Sequence, residues 1–347
     1  MSGHVEHTQA SPAPRKVGRG YLLSLFVGLG GAFGLFMGLL AYLDHSENLP
    51  PPAFTNSLCV DEKLKYLRER EGTDPNLLVI GSSVAWRHVD NTIVRNQSSA
   101  IEPLNGAFCG LRANQSTYVA DWLIDREPSV RTVVMVVDPQ DFSGCAVART
   151  DVFSREDADQ YVYEQASSWP YYLRYFEPRS LLRNAMSVKT QRGTTEHWDP
   201  LVFNAYGDGP LNPDGDRGLH YAAAEPLDER CFAALSSFAR TLHLEGRSLL
   251  LVSTPLNPEW KTRYDPNGAL LETFDQRLLA ALHGTPARYW NADRYWKAPA
   301  DAFVDAIHMR WPAAQQFSVA LAQNIATVTD PTPEGAKRKV ADAALVQ

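Results

Sequence analysis

The sequence has little of what marks several large functional classes. It has no long basic run: 33 Lys and Arg stand against 40 Asp and Glu, for a formal net charge of −7. Nucleic-acid binding, which needs a basic patch to meet phosphates, is therefore not expected. There are only four cysteines, Cys59, Cys109, Cys145 and Cys231, and none has metal-ligand spacing. Outside the cytoplasm an even number permits up to two disulfides. Cys109 and Cys145 both follow predicted central strands, which makes them the first choice for a pair; buried free thiols fit equally well. Asn212-Pro213-Asp214-Gly215-Asp216 lacks the spacing and closing glutamate of an EF-hand loop, so a turn is expected. Asp138, Asp141 and His308 are conceivable metal ligands, but no His/Cys cluster accompanies them. No metal or other cofactor is expected, and no internal repeat is visible.

Long apolar runs are also scarce, with one exception. Tyr21 to Leu43 (YLLSLFVGLGGAFGLFMGLLAYL) is 23 residues without a charge, enough to cross a ~30 Å hydrocarbon core. A cleavable signal peptide would carry roughly 7–15 apolar residues and then a small-residue cleavage site. This run is longer, and Tyr42-Leu43-Asp44-His45 is a poor cleavage site. An uncleaved single-pass anchor is expected. Arg15, Lys16 and Arg19 precede the span while Asp44 and Glu47 follow it. That asymmetry places the N-terminus in the cytoplasm and the main domain in the periplasm or outside the cell. Gly30, Gly34 and Gly38 fall on one helix face and could admit a second membrane helix. General enrichment of Gly in membrane helices is the alternative.

The chain divides into a polar cytoplasmic tail (1–20), the anchor (21–43), a membrane-proximal linker with a short helix (44–72), a main domain (73–328) and a mobile tail (329–347). Pro50-Pro51-Pro52 is a stiff spacer, and Glu62–Glu71 reads as the short charged helix. Apolar runs at Asn76–Ile80, Ile101–Leu104, Thr132–Val137 and Ser248–Ser253 predict strands. Helical patterns separate them, clearest at Asn114–Asp125 and Cys231–Glu245, with later helices at Glu272–His283 and Trp311–Ile325. The alternation predicts an α/β fold with a parallel sheet covered on both faces. Active groups of such sheets gather at the carboxyl ends of the strands. Residues 151–225 break the alternation and read as an insertion rich in aromatics: Tyr161, Tyr163, Trp169, Tyr171, Tyr172, Tyr175, Phe176 and Trp198. A local core accounts for most of these; a sugar-stacking wall is the sharper reading.

Two short motifs carry chemistry. Gly81-Ser82-Ser83 follows the run Leu77–Ile80, and Asp305-Ala306-Ile307-His308 precedes the last helix. A serine on a strand-to-helix turn needs a base, and a histidine oriented by a carboxylate is the common solution. The order Ser…Asp…His, with Asp three residues before His, separates this chain from chymotrypsin-like, subtilisin-like and ordinary α/β-hydrolase arrangements. Gly81 permits a sharp turn, and a helix start there would place N–H groups near Ser83. Two further blocks lie between: Asn105-Gly106-Ala107-Phe108-Cys109-Gly110, and Asp138-Pro139-Gln140-Asp141 after the third run. His88 and Arg87 could bind an acyl or anionic group, although a surface role or helix-start hydrogen bonds are the simpler expectation.

This order of elements resembles the SGNH (GDSL-like) hydrolase superfamily over roughly residues 73–328. The resemblance implies Ser83 as nucleophile, His308 as general base and Asp305 as its orienting carboxylate. The implied oxyanion donors are Ser83, Gly110 and Gln140. Two positions depart from the family pattern. Ser82 stands in place of the usual aspartate, and Gln140 in place of the oxyanion asparagine, where the extra methylene moves the amide. The layout is similar to the membrane-anchored branch that serves O-acylation of surface polymers, as in alginate acetylation or teichoic-acid alanylation. The Pro-rich loop after Leu250–Ser253, Thr254-Pro255-Leu256-Asn257-Pro258, fits that branch.

Three functions are compatible with this reading. The first is an acyltransferase that O-acetylates an extracellular or periplasmic polysaccharide through a Ser83 acyl-enzyme. The resemblance implies a polysaccharide acceptor and a polytopic membrane acyltransferase as partner, the latter meeting the Gly30/Gly34/Gly38 face. The second is a deacetylating esterase of the same fold. The third is a non-catalytic module that binds polysaccharide or a membrane partner, which the Gln140 departure would suit.

Overall fold

The computed structural model describes residues 18–329, except Asn56, Thr73, residues 222–224 and the side chain of Arg19. The tails expected at 1–20 and 329–347 therefore fall almost wholly outside the described residues. The chain divides into two compact units between Leu49 and Pro50. The first contains the helix Arg19–His45. Its stretch Gly20–His45, 26 residues with an 18-residue window of mean hydropathy 2.0, is long and apolar enough to cross a membrane.

The second unit is built on five strands: β1 (Leu77–Gly81), β2 (Pro103–Asn105), β3 (Thr132–Val137), β4 (Ser248–Ser253) and β5 (Arg288–Asn291). All pairings are parallel and the order is β2-β1-β3-β4-β5. The α/β expectation holds at this level. The central strands are buried on both faces, so they are continuous Val/Leu/Ile runs rather than alternating ones. Their side chains still alternate between two cores. Leu78, Ile80, Val133, Met135, Leu249 and Leu251 point to one. Leu77, Val79, Val134, Val136, Leu250 and Val252 point to the other. The first core lies under the helices Ala113–Arg126, Glu229–Leu244 and Ala269–Leu282; the second lies under Ser83–His88, Asn91–Gln97 and Trp311–Thr329.

The strand order explains why the expected Cys109–Cys145 pair does not form. β1 separates β2 from β3, so residues leaving those two strands start about two strand spacings, ~9.5 Å, apart. A disulfide needs Cα atoms within about 7 Å. The bonds are Cys59–Cys109 and Cys145–Cys231, and no free cysteine remains. Cys59 lies on the helix Leu58–Glu69, which begins four residues earlier than expected and buries Asp61, Glu62 and Lys63. This helix, assigned from the sequence to a membrane-proximal linker, is part of the second unit.

The aromatic insertion forms mainly a local core. Tyr161, Tyr171 and Tyr175 surround Phe54 with ring centroids 4.8, 5.0 and 5.4 Å away. Three helices not foreseen there, Arg155–Val162, Trp169–Arg174 and Pro178–Gln191, lie within it.

Candidate active site

In the order β2-β1-β3, the chain crosses from one side of β1 to the other. Ligand crevices of doubly wound sheets open at such a switch point, beyond the carboxyl ends of the strands. The Ser83 turn follows β1 there and the Asp138 loop follows β3. Gly81 makes the turn possible. Its φ is +141°, and a Cβ would stand 2.3 Å from the Val136 carbonyl oxygen and 2.7 Å from Ala85 Cβ. Ser82 caps the short helix Ser83–His88, its side chain accepting from the Val84 N–H. Its hydroxyl also meets the Asp141 side chain. Ser82 thus ties the Ser83 turn to the β3 loop.

Ser83, His308 and Asp305 come together although 222 residues separate Ser83 from Asp305. His308 Nε2 lies 2.9 Å from Ser83 Oγ, and Nδ1 lies 2.9 Å from Asp305 Oδ2. Asp305 Oδ1 accepts from the backbone N–H groups of Ile307 and His308 at 2.9 and 2.8 Å. Burial alone would raise the Asp305 carboxyl. The facing imidazole and these hydrogen bonds outweigh it and hold Asp305 below the usual carboxylate range. A carboxylate there accepts from Nδ1–H, which leaves Nε2 free to take a proton from the serine.

The chain of three opens on a cavity of about 590 Å³ whose wall includes Gly110, Gln140, Trp198, Arg217 and Tyr221. Gly110 has φ +72°, and its neighbour Cys109 is pinned by the disulfide to Cys59. No hydrogen bond among the described residues uses the Gly110 N–H. Ser83 is the first residue of its helix, where an N–H has no intrahelical acceptor. Both groups are available to a ligand oxygen. Gln140 is placed differently from the expectation. Its side-chain amide nitrogen donates to the Tyr221 carbonyl, and its main-chain carbonyl accepts from Arg112 Nη1 at 2.6 Å.

Asp138 and Asp141 shape this loop from inside. Asp138 Oδ1 accepts from the N–H groups of Gln140 and Asp141, and Asp141 Oδ2 accepts from Asp138 N–H. Burial raises both carboxyls, and for Asp141 the nearby Asp138 charge adds to it. Among the described residues no group of three His, Cys, Asp or Glu side chains is arranged to hold a metal.

Arg87 and His88, for which a surface role or helix-start hydrogen bonds is the simpler expectation and binding of an acyl or anionic group the alternative, are 6% and 0% exposed, and Arg87 lies on the cavity wall. Arg87 stacks on Trp86 and donates to the carbonyls of Gly209 and Pro200. Burial brings its guanidinium down to about 9. His88 Nδ1 lies 2.7 Å from Thr254 Oγ1, and Nε2 accepts from the Met309 N–H at 2.9 Å. It therefore holds the residue next to His308. Asn105 also turns inward, donating to Asp208 Oδ1 at 2.9 Å. Asp208 further accepts from Asn91 and Asn204, while Lys63 donates to the adjacent Gly207 carbonyl at 2.7 Å.

Of the eight insertion aromatics, only Trp198 lines the cavity. Tyr221, on the same wall, was not singled out from the sequence. Its ring stands edge-on to His308 at 5.5 Å, and its φ is +63°. No local pattern marks it, because its role comes from contacts with residues 81 and 87 positions away. Compared with known proteins, the sequence matches no family model and no curated sequence.

Proposed function

We propose that the protein is a membrane-anchored serine acyltransferase of the SGNH type that O-acetylates a polysaccharide outside the cytoplasm. The observation that carries this is the hydrogen-bonded chain Ser83–His308–Asp305 at the mouth of a cavity large enough for a sugar unit. The order of motifs along the sequence, noted above, adds support. The basic flank before the apolar helix favours a cytoplasmic N-terminus.

In the proposed cycle Ser83 Oγ attacks the carbonyl carbon of a donor ester while His308 Nε2 takes its proton. The N–H groups of Ser83 and Gly110 receive the developing oxyanion. Collapse expels the donor alcohol, which takes the proton from His308, and leaves acetyl on Ser83. A sugar hydroxyl then gives its proton to His308 and attacks the acyl carbon, and Ser83 Oγ leaves with that proton from His308, which restores the starting state. Water in place of the sugar would make the same residues a deacetylating esterase, so exclusion of water decides the outcome. Trp198 and Tyr221 offer faces on which a sugar ring can stack.

The test is turnover of p-nitrophenyl acetate by the purified full chain, with and without an acetyl-free oligosaccharide. Transfer predicts acetylated oligosaccharide at the expense of acetate. Acetate alone, unaffected by acceptor, would make the esterase reading the better one. Retention of oligosaccharide with no turnover would favour a binding module.

A further inference from the structure

The insertion carries a surface that the chemistry of Ser83 does not use. The helices Trp169–Arg174 and Pro178–Gln191 expose Trp169, Leu173, Leu182 and Met186, the last at 67%. Within each helix the two residues are spaced i, i+4 and share a face. The inner side of the second helix buries Asn184, Ala185 and Val188. Residues 168–192 contain five basic residues and one acidic one, in a chain whose net charge is −7. Arg179 and Lys189 join no ion pair with another described residue. On Pro178–Gln191 the helical spacing sets Arg179 and Lys189 beside Leu182 and Met186, and an apolar face rimmed by unpaired cations is the composition of a helix lying at a lipid interface.

Covalent connection supplies the second observation. The Tyr172 hydroxyl donates to the Pro50 carbonyl at 2.6 Å. Pro50 lies five residues beyond His45, the last residue of the apolar helix. Five Cα–Cα steps span at most about 19 Å. Chain length alone therefore keeps Pro50, the residue to which Tyr172 is hydrogen-bonded, within that reach of His45.

We propose that the face of the helix Pro178–Gln191 that carries Leu182 and Met186, with Arg179 and Lys189, docks on the surface of a bilayer containing anionic lipid. The same helix, Pro178–Gln191, supplies Asn184, Ser187 and Gln191 to the wall of the Ser83 cavity. Those three residues lie on the side of the helix opposite Leu182 and Met186, so docking sets that wall about one helix diameter, ~10 Å, from the lipid surface. The inference rests on the apolar helix being an anchor, not on the Ser83 chemistry, and either can fail alone.

The test uses the full chain in vesicles. Every native cysteine is in a disulfide, so Leu182→Cys and Met186→Cys each give one thiol for a fluorescent label. Leu244→Cys, a site 86% exposed on a different helix, is the reference. The vesicles are phosphatidylcholine with or without phosphatidylglycerol, and the quencher is a nitroxide lipid. Labels at 182 and 186 should be quenched far more than the label at 244 when phosphatidylglycerol is present. Arg179→Gln with Lys189→Gln should lower the docked-to-free ratio about 30-fold, which is ~1 kcal/mol per charge at an anionic surface converted at 1.36 kcal/mol per decade. Neither residue lines the Ser83 cavity, so ester turnover in detergent should not change. Equal quenching at 182, 186 and 244 in both lipids overturns the proposal. So does protection of the face that needs other membrane proteins, which would assign it to a protein partner.

Discussion

Replacing His88 with Phe keeps a ring of similar size in a fully buried position but removes both polar atoms. Two buried groups lose their partner, the Met309 N–H and the Thr254 hydroxyl. An orphaned buried donor or acceptor costs ~1–3 kcal/mol, so the variant should lose about 2–6 kcal/mol at neutral pH. The pH dependence is the sharper signature. Burial, and then the neighbouring His308, push the His88 imidazole well below its ordinary 6.5. The geometry agrees, since Nε2 accepts from an N–H and has no room for a proton. In the unfolded chain His88 protonates below 6.5, whereas in the folded chain it stays neutral to much lower pH. The unfolded state thus binds more protons in that window. The contribution is fully present above 6.5 and is lost as pH falls, by ~1.4 kcal/mol per unit. Denaturant titrations of wild type and His88→Phe in detergent, across roughly pH 5 to 7.5, give the difference curve. Other shifted groups, such as the raised Asp208 carboxyl, cancel in that difference. Wild type should lose its advantage steadily below 6.5. A pH-independent difference would refute the neutral-acceptor assignment.

Asp305→Asn should lower ester turnover by ~10⁴ while leaving binding of an oligosaccharide in place, because the amide oxygen stays on the Ile307 and His308 N–H groups and the amide NH2 then faces His308 Nδ1, putting a donor where an acceptor set the tautomer; steady-state kinetics check it. Gly81→Ala should destabilise the protein by ~3 kcal/mol or more, since its Cβ meets the Val136 carbonyl at a positive φ, and thermal unfolding should show a correspondingly lower Tm. Gln140→Ala should reduce acylation by far less than the ~10²–10³ lost with an oxyanion donor, because its amide is bonded to the Tyr221 carbonyl; burst kinetics with an activated ester measure it.

The sequence made parts of this structure legible for identifiable reasons. β1, β3 and β4 are buried on both faces and so are unbroken apolar runs. β5, Arg-Tyr-Trp-Asn, is a half-buried edge strand of four residues with no such run, and it went unseen. The helix Leu58–Glu69 is charged, yet Lys63 and Glu62 are buried by partners 144 and 130 residues away, which no local pattern announces. Ser83 and the Asp305/His308 pair were legible because a turn after a strand and an i, i+3 spacing are local. The roles of Tyr221, His88 and Gln140 were not, because each depends on a loop brought in from elsewhere in the chain. The disulfides failed for a topological reason, since predicted strands gave no order within the sheet.

The central claim is that Ser83 carries an acyl group, and intact-mass measurement after a pulse of activated acetyl ester tests it most directly. Wild type should gain one acetyl group, mapped to the peptide containing Ser83, and lose it on addition of acceptor. Ser83→Ala should gain none at that peptide, and His308→Ala should acylate far more slowly. A wild-type protein that never acquires the adduct, or a Ser83→Ala variant that acquires it equally, would contradict the account.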